Sequence, residues 1–210
     1  MNILKLVRYL SWAAVATIVF VTTAIVLGWW RVDGPGGLQT DAGIEIKGLP
    51  QLGGPFTLVD HRGKTVTERD FLGKPMLVFF GFTHCPDVCP TTLFEITTRF
   101  QKLGTDADRL QAIFITADPE RDTPEQMALY LQSFDPRIVG LSGSQEQIDG
   151  AVAAFKVIAK KVPQGDGNYT IDHTASTFLM DKNGKFFGLI DYHEKEDTAL
   201  AKMRRLLAKK

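Results

Sequence analysis

The chain has 210 residues, 44% of them hydrophobic, which suffices for one domain of ordinary size with its own core plus an appendage. Lysine plus arginine and aspartate plus glutamate stand at 24 each, so the basic excess of a nucleic-acid-binding surface is missing and no nucleic-acid partner is expected. There is no internal repeat and no low-complexity tract, and partners have to be argued from particular sites.

Residues 9–30 contain no charged side chain. As a helix they would span about 33 Å, close to the ~30 Å core of a bilayer, and they read as a transmembrane anchor. A buried core helix rarely runs so long without a polar face, and the apolar part of a cleaved signal peptide is usually ~7 to 15 residues. Lys5, Arg8 and the amino terminus precede the run, while Arg31 and Asp33 nearly cancel after it, so residues 1–8 are expected in the cytoplasm and the rest outside. Trp12 near one end and Trp29 with Trp30 at the other suit the two headgroup layers. Residues 1–8 are too short for an amphipathic organelle transit peptide, which favours a bacterial inner membrane, crossed once, with the folded part facing the periplasm. Residues 31–53, rich in glycine and proline, read as a linker, and residues 54–210 as the folded domain.

Within that domain, residues 56–60 and 65–67 flank His61-Arg-Gly-Lys64, a polar run that suits a hairpin turn, with His61 a turn residue. Residues 76–82, Met-Leu-Val-Phe-Phe-Gly-Phe, form the continuous apolar run expected of a strand buried on both faces. A helix follows to about Leu103, with Leu93, Ile96, Phe100 and Leu103 at three- and four-residue spacing and Gly104 closing it. Residues 110–116 read as the next buried strand. Thr123-Pro-Glu-Gln126 has the form of a capping box with proline at the first helical position, opening a helix that ends near Phe134. A short strand at 138–141 precedes a helix with Ile148, Val152, Phe155 and Ile158 on one face. The chain closes with a strand at 176–180, the turn Asp181-Lys-Asn-Gly184, a strand at 185–190 and a helix from about Glu194 to Leu207. The expected class is α/β: a central sheet with helices on both faces, whose first buried strand runs straight into a cysteine pair and a helix, the thioredoxin-like layout.

Both cysteines lie in Thr83-His-Cys-Pro-Asp-Val-Cys-Pro90, directly after that strand. On one helical face their spacing puts the Cβ atoms about 5 to 6 Å apart, so that two sulfurs converge on one metal ion. A disulfide wants Cβ atoms about 3.8 Å apart, which a regular turn does not give; Pro86 and Pro90 discourage a regular helix, so both roles stay open. At the opening of a helix, unpaired N–H groups favour the thiolate, the form that binds metal and attacks disulfides. An inert staple is the weaker reading, because a bridge closing so small a loop removes little unfolded-chain entropy.

His173 sits in Tyr169-Thr-Ile-Asp-His-Thr-Ala-Ser176, ahead of the late strand that in thioredoxin-like folds runs close to the cysteine turn. A lone histidine there is ordinarily a hydrogen-bonded surface residue; the cysteine pair makes it a candidate ligand. Thioredoxins carry a peptide-binding proline in this vicinity, and residues 166–176 have none. Two thiolates and one imidazole form a soft, three-coordinate set that favours Cu(I) over magnesium or calcium, whereas structural zinc usually wants a fourth protein ligand. Cu(II) would be held with water or a carboxylate completing the shell. Asp118, at the end of the second buried strand, is the auxiliary candidate, beside its plain reading as a capping or loop residue. His84 adjoins Cys85, but neighbouring side chains on a turn diverge; His193 reads as solvated.

Taken together, Gly81-Phe-Thr-His-Cys-Pro-Asp-Val-Cys-Pro90, Asp118-Pro-Glu-Arg-Asp-Thr-Pro124, and Asp172-His173-Thr followed by Phe178-Leu-Met-Asp181 resemble the Sco/SenC family of copper proteins associated with cytochrome c oxidase assembly. The motifs span residues 56 to about 190, and Thr174 stands where a serine is frequent in the family. The resemblance implies Cys85, Cys89 and His173 as copper ligands. The leading reading is a copper metallochaperone, not an enzyme in the strict sense, which receives copper from a donor protein and passes it by ligand exchange to the copper-receiving subunit of cytochrome c oxidase. The alternative is a thiol:disulfide oxidoreductase that reduces the cysteines of the oxidase copper site and is recharged by a thiol reductant. For that role Cys85 and Cys89 suffice and His173 is dispensable. A thiol peroxidase would share the fold, but its resolving cysteine seldom lies four residues away.

Overall fold

The computed structural model describes residues 3–26, 51–165 and 167–209. They fall into two compact units divided between residues 49 and 50. The first holds helix α1 (Ile3–Val26), which starts ahead of the uncharged run and includes Lys5 and Arg8. Its uncharged part, residues 9–26, is about 27 Å long at ~1.5 Å per residue. Among the described residues no helix is long and apolar enough to cross a membrane. The end of the expected span, residues 27–30, and the expected linker up to residue 50 lie outside the described residues.

In chain order the second unit runs β1 (Thr57–Asp60), β2 (Thr65–Thr67), β3 (Met76–Gly81), α2 (Val88–Leu103), β4 (Gln111–Thr116), α3 (Pro124–Leu131), β5 (Ile138–Ser142), α4 (Gln145–Phe155), β6 (Ala159–Gly165), β7 (Asn168–His173), β8 (Thr177–Met180), β9 (Phe186–Ile190) and α5 (Glu196–Ala208). Seven strands form one sheet in the order β2-β1-β5-β4-β3-β8-β9. Its centre, β5-β4-β3, is parallel, and each of these strands reaches the next through a helical crossover, as parallel neighbours require. The flanks are antiparallel hairpins.

Every residue of β3 is buried, and its alternating side chains serve two cores. Leu77 and Phe79 join Leu93, Ile96 and Phe100 of α2, Met127 of α3, and Met203 and Leu206 of α5. Val78 and Phe80 join Ile148, Ala151 and Phe155 of α4. Helices therefore cover both faces, which is what the unbroken apolar run of β3 demands. Ahead of β1, Leu52 packs against the second of these cores, and the Gly53 N–H donates to the Ala154 carbonyl at 3.0 Å.

Helix α3 opens as its sequence specifies: the Thr123 side chain accepts from the Gln126 N–H, with Pro124 first in the helix. It stops at Leu131, short of Phe134, because the N–H groups of Ser133 and Phe134 turn to carbonyls three residues back. Helix α4 ends sooner than its apolar face suggests. Lys156 adopts a left-handed conformation at φ 54°, and Ile158, expected on that face, is exposed. Beyond it lies an element the apolar pattern does not announce, the two-stranded ribbon β6-β7, in which Ala159 pairs with His173.

A cysteine and histidine centre at the end of the central strand

Gly81 closes β3, and the chain turns so that the Cys85 N–H donates to the Phe82 carbonyl at 3.2 Å. Cys85 thus lies in a turn ahead of α2, while Cys89 is the second residue of the helix. The pair is not on a regular helical turn, and the cysteines are free. Cys89 is fully buried; Cys85 is half-buried at the rim. Gly81 has a steric reason. A Cβ there would lie 2.5 Å from Cys89 Sγ and 2.9 Å from the Phe114 ring, so only glycine lets the sulfur rest on the strand end.

The ribbon brings the third group. His173, last residue of β7, stands edge-on to Phe79 and Phe82, with ring centroids 6.0 and 5.9 Å apart. Its Nδ1 is 3.1 Å from the Thr174 carbonyl. A carbonyl only accepts, so the ring proton sits on Nδ1 and the Nε2 lone pair is left facing Cys89 Sγ at 3.4 Å. The ligand atoms of Cys85, Cys89 and His173 all lie within 4.8 Å of one another. An ion bonded at ~2.0 to 2.3 Å would set such a group at separations of about 4 Å, so the more distant atoms would close slightly and the 3.4 Å Cys89–His173 pair would open slightly. Thr174 fixes the ribbon's base: its hydroxyl accepts from the Ile158 N–H, and its own N–H donates to the Ile158 carbonyl, both at 3.0 Å.

The two thiols share their protons unequally. Cys85 accepts from the Cys89 thiol and from backbone N–H groups of the turn, which lowers it to about 5 against the opposing effect of burial. Cys89 is pushed up by donating to Cys85 and by its own burial. The reduced pair therefore carries one negative charge, placed on the accessible sulfur.

Asp118 is not among the groups brought together. It is fully buried, is paired with Arg121, and accepts from the Tyr169 hydroxyl at 2.8 Å. Its work is to pin the ribbon. Arg121 also lies over the Tyr169 ring at 3.9 Å and donates to the Tyr169 carbonyl, and Glu120 pairs with Lys161 at 2.7 Å. Nor do His84 and His193 join the cluster. His193 is exposed, and His84, also exposed, has its Nδ1 3.1 Å from the Thr83 hydroxyl.

Sequence reasoning passed over Asp122. Its buried carboxylate accepts from the Thr83 N–H (2.9 Å), the Thr83 hydroxyl (2.6 Å) and the Thr116 hydroxyl (2.7 Å), tying the cysteine turn to the end of β4. The available signal was its place in the segment 118–124, four residues past Asp118.

The sequence profile of the SCO1/SenC family matches residues 45–208. The chain belongs to the SCO1/SenC family. Among SCO1/SenC relatives, it is 42% identical over 168 residues to protein sco1 of Schizosaccharomyces pombe, an alignment covering 78% of this chain and 64% of that one. It is 34% identical over 186 residues to protein SenC of Rhodobacter capsulatus, covering 89% and 81%. The structure of Bradyrhizobium japonicum ScoI with copper bound is similar at a TM-score of 0.69 and 51% identity, covering 74% of this chain and 99% of that one. BsSco, described as a member of the Sco family of cytochrome c oxidase assembly proteins and as having a disulfide switch, is similar at a TM-score of 0.61 and 25% identity, covering 77% and 96%. The chain spans less than two thirds of the length of the fission-yeast, zebrafish and mouse relatives.

Proposed function

We propose that the protein is a copper metallochaperone that delivers copper to, or prepares the copper site of, cytochrome c oxidase. The observation that carries this reading is the convergence of Cys85, Cys89 and His173 at the end of β3. Two sulfurs and a neutral imidazole nitrogen, walled by Phe79 and Phe82, make a soft set that suits Cu(I), and a solvent molecule entering at the rim completes a shell for Cu(II). Delivery needs tight binding that can be undone. Cys85 at the rim offers the metal to an incoming ligand while Cys89 and His173 hold it from below, so bonds exchange one at a time with no change of oxidation state. Loading displaces the remaining thiol proton to solvent. The copper-bound and oxidase-assembly relatives support the same cargo and destination.

The uncharged run at residues 9–30, preceded by Lys5 and Arg8, supports an anchor crossing a bacterial inner membrane once, with the domain in the periplasm. There it would meet a copper donor protein and the copper-receiving oxidase subunit. A second reading is favoured by the lowered Cys85 thiol: a thiol:disulfide oxidoreductase that reduces the oxidase cysteines and is itself restored by a thiol reductant. His173 separates the two.

The test is complementation in a strain lacking the gene, under limiting copper. Oxidase copper content should fall and be restored by the wild-type chain but not by Cys85→Ser. Failure of His173→Ala supports delivery, and full restoration by it supports the reductase. Oxidase copper content unaffected by the deletion would contradict both.

A further inference from the structure

His173 is carried by a ribbon whose first strand is exposed, and its Nδ1 contact, at 3.1 Å, is with the carbonyl of the next residue in the chain. That contact selects the tautomer but moves with the ribbon, so it does not tie the imidazole to the cysteines. The tie comes from two rings that stand edge-on to the imidazole, Phe79 at 6.0 Å and 70° and Phe82 at 5.9 Å and 89°. Phe79 lies in β3, stacked on Phe114 at 5.9 Å, and is a fixed wall of the core.

Phe82 differs in belonging to the cysteine turn itself. Its N–H donates to Cys89 Sγ at 3.4 Å, and its carbonyl accepts from the Cys85 N–H at 3.2 Å. One residue thus touches all three groups of the centre, two through its backbone and the third through its ring. The ring is buried, with the Arg121 guanidinium 5.7 Å from its centroid and 3.9 Å from that of Tyr169, so one cation spans the turn and the ribbon.

Resting on the copper-binding reading above, we infer that Phe82 is a positioning residue that locks His173 to the cysteine pair, so that the three ligand atoms are presented together before copper arrives. A side chain already in its bound position loses little freedom on binding, and the freedom not lost appears as affinity. The lock acts through the imidazole: with His173 removed, the identity of residue 82 should cease to matter to the metal. The arrangement suits a carrier, since the metal leaves past Cys85 at the rim while Phe82 keeps Cys89 and His173 in register below it.

The test is a double-mutant cycle in the full chain between His173→Ala and Phe82→Leu, the latter keeping a buried apolar side chain and removing the flat ring edge. Cu(I) affinity, measured against a chromophoric chelator, should weaken about tenfold, or ~1.4 kcal/mol, on Phe82→Leu in the wild-type background, and by less than about twofold in the His173→Ala background. Phe80→Leu is the control. As fully buried, but packed in the opposite core on Phe155 and Phe178 at centroid distances of 5.3 and 6.3 Å, it should lower Tm and leave Cu(I) affinity unchanged. Equal losses in the two backgrounds, no loss on Phe82→Leu, or a matching loss on Phe80→Leu would make Phe82 a plain core residue and overturn the inference. A readout that needs neither copper nor a variant is NMR relaxation of the His173 ring in the metal-free protein, expected near the rigid value of about 0.85 in S²; a value below about 0.6 would overturn it too. Failure of the wild-type chain to bind copper removes the underlying reading, whereas wild-type binding with equal losses removes this inference alone.

Discussion

At the scale of single residues, one backbone turn makes two identical side chains into unlike ligands. Cys89, second in α2 and seated on Gly81, has no contact with water, while Cys85 at the rim carries the shared charge. Because Cys85 is lowered to about 5, it is a thiolate from pH 6 to 8. Alkylation of the reduced protein by iodoacetamide, mapped to Cys85 by mass spectrometry, should then proceed at a nearly constant rate across that window and slow below pH 5. An ordinary thiol, with a pKa of about 8.5, would instead quicken about tenfold per pH unit there. Asp122 fixes the same turn from below. Asp122→Ala strands the Thr83 and Thr116 donors, and a loss of about 3 kcal/mol is expected in urea denaturation, with weaker copper binding. A change under about 1 kcal/mol would mean that the turn holds itself.

At the scale of elements, the ribbon β6-β7 carries His173, and its exposed first strand gives it little apolar anchorage. What pins it is polar: Tyr169 on buried Asp118, Arg121 over the Tyr169 ring, Lys161 on Glu120. Tyr169→Phe keeps the ring and removes the bond to a charged carboxylate, so about 1.5 kcal/mol should be lost locally. Amide hydrogen exchange should rise in β7 and not in β3; uniform change across both would mean that the ribbon is held by its ladder alone. This element was also the least legible in the sequence. Residues 160–165 are exposed and only Ile171 of β7 is buried, so no sustained apolar period marks the ribbon, and Ile158 extends the pattern of α4 past the left-handed turn at Lys156 that ends the helix. The strands and helices around it were legible because burial on two faces leaves an unbroken apolar run in β3, and because Thr123 and Pro124 spell out a helix start.

At the scale of the whole molecule, the central parallel strands set the cysteine turn at one end of the sheet, and the long return through α4 and the ribbon lays His173 against it. The three candidate ligands were legible as residue types and motifs, but their convergence belongs to the fold, since Cys89 and His173 meet across 84 positions of chain. The two readings of Asp118 stayed open in the sequence for the same reason: nothing in its segment says that Arg121 and Tyr169 engage the carboxylate. The proposed anchor has its own check. The full chain should stay with membranes through an alkaline carbonate wash, and its release would contradict a spanning helix at residues 9–30. The central claim, that Cys85, Cys89 and His173 form one copper site, is tested most directly by anaerobic Cu(I) titration of the reduced full chain against a chromophoric chelator, with His173→Ala alongside. One equivalent bound tightly by the wild type and far more weakly by the variant is the expected result; weak binding, or binding indifferent to His173, would contradict it.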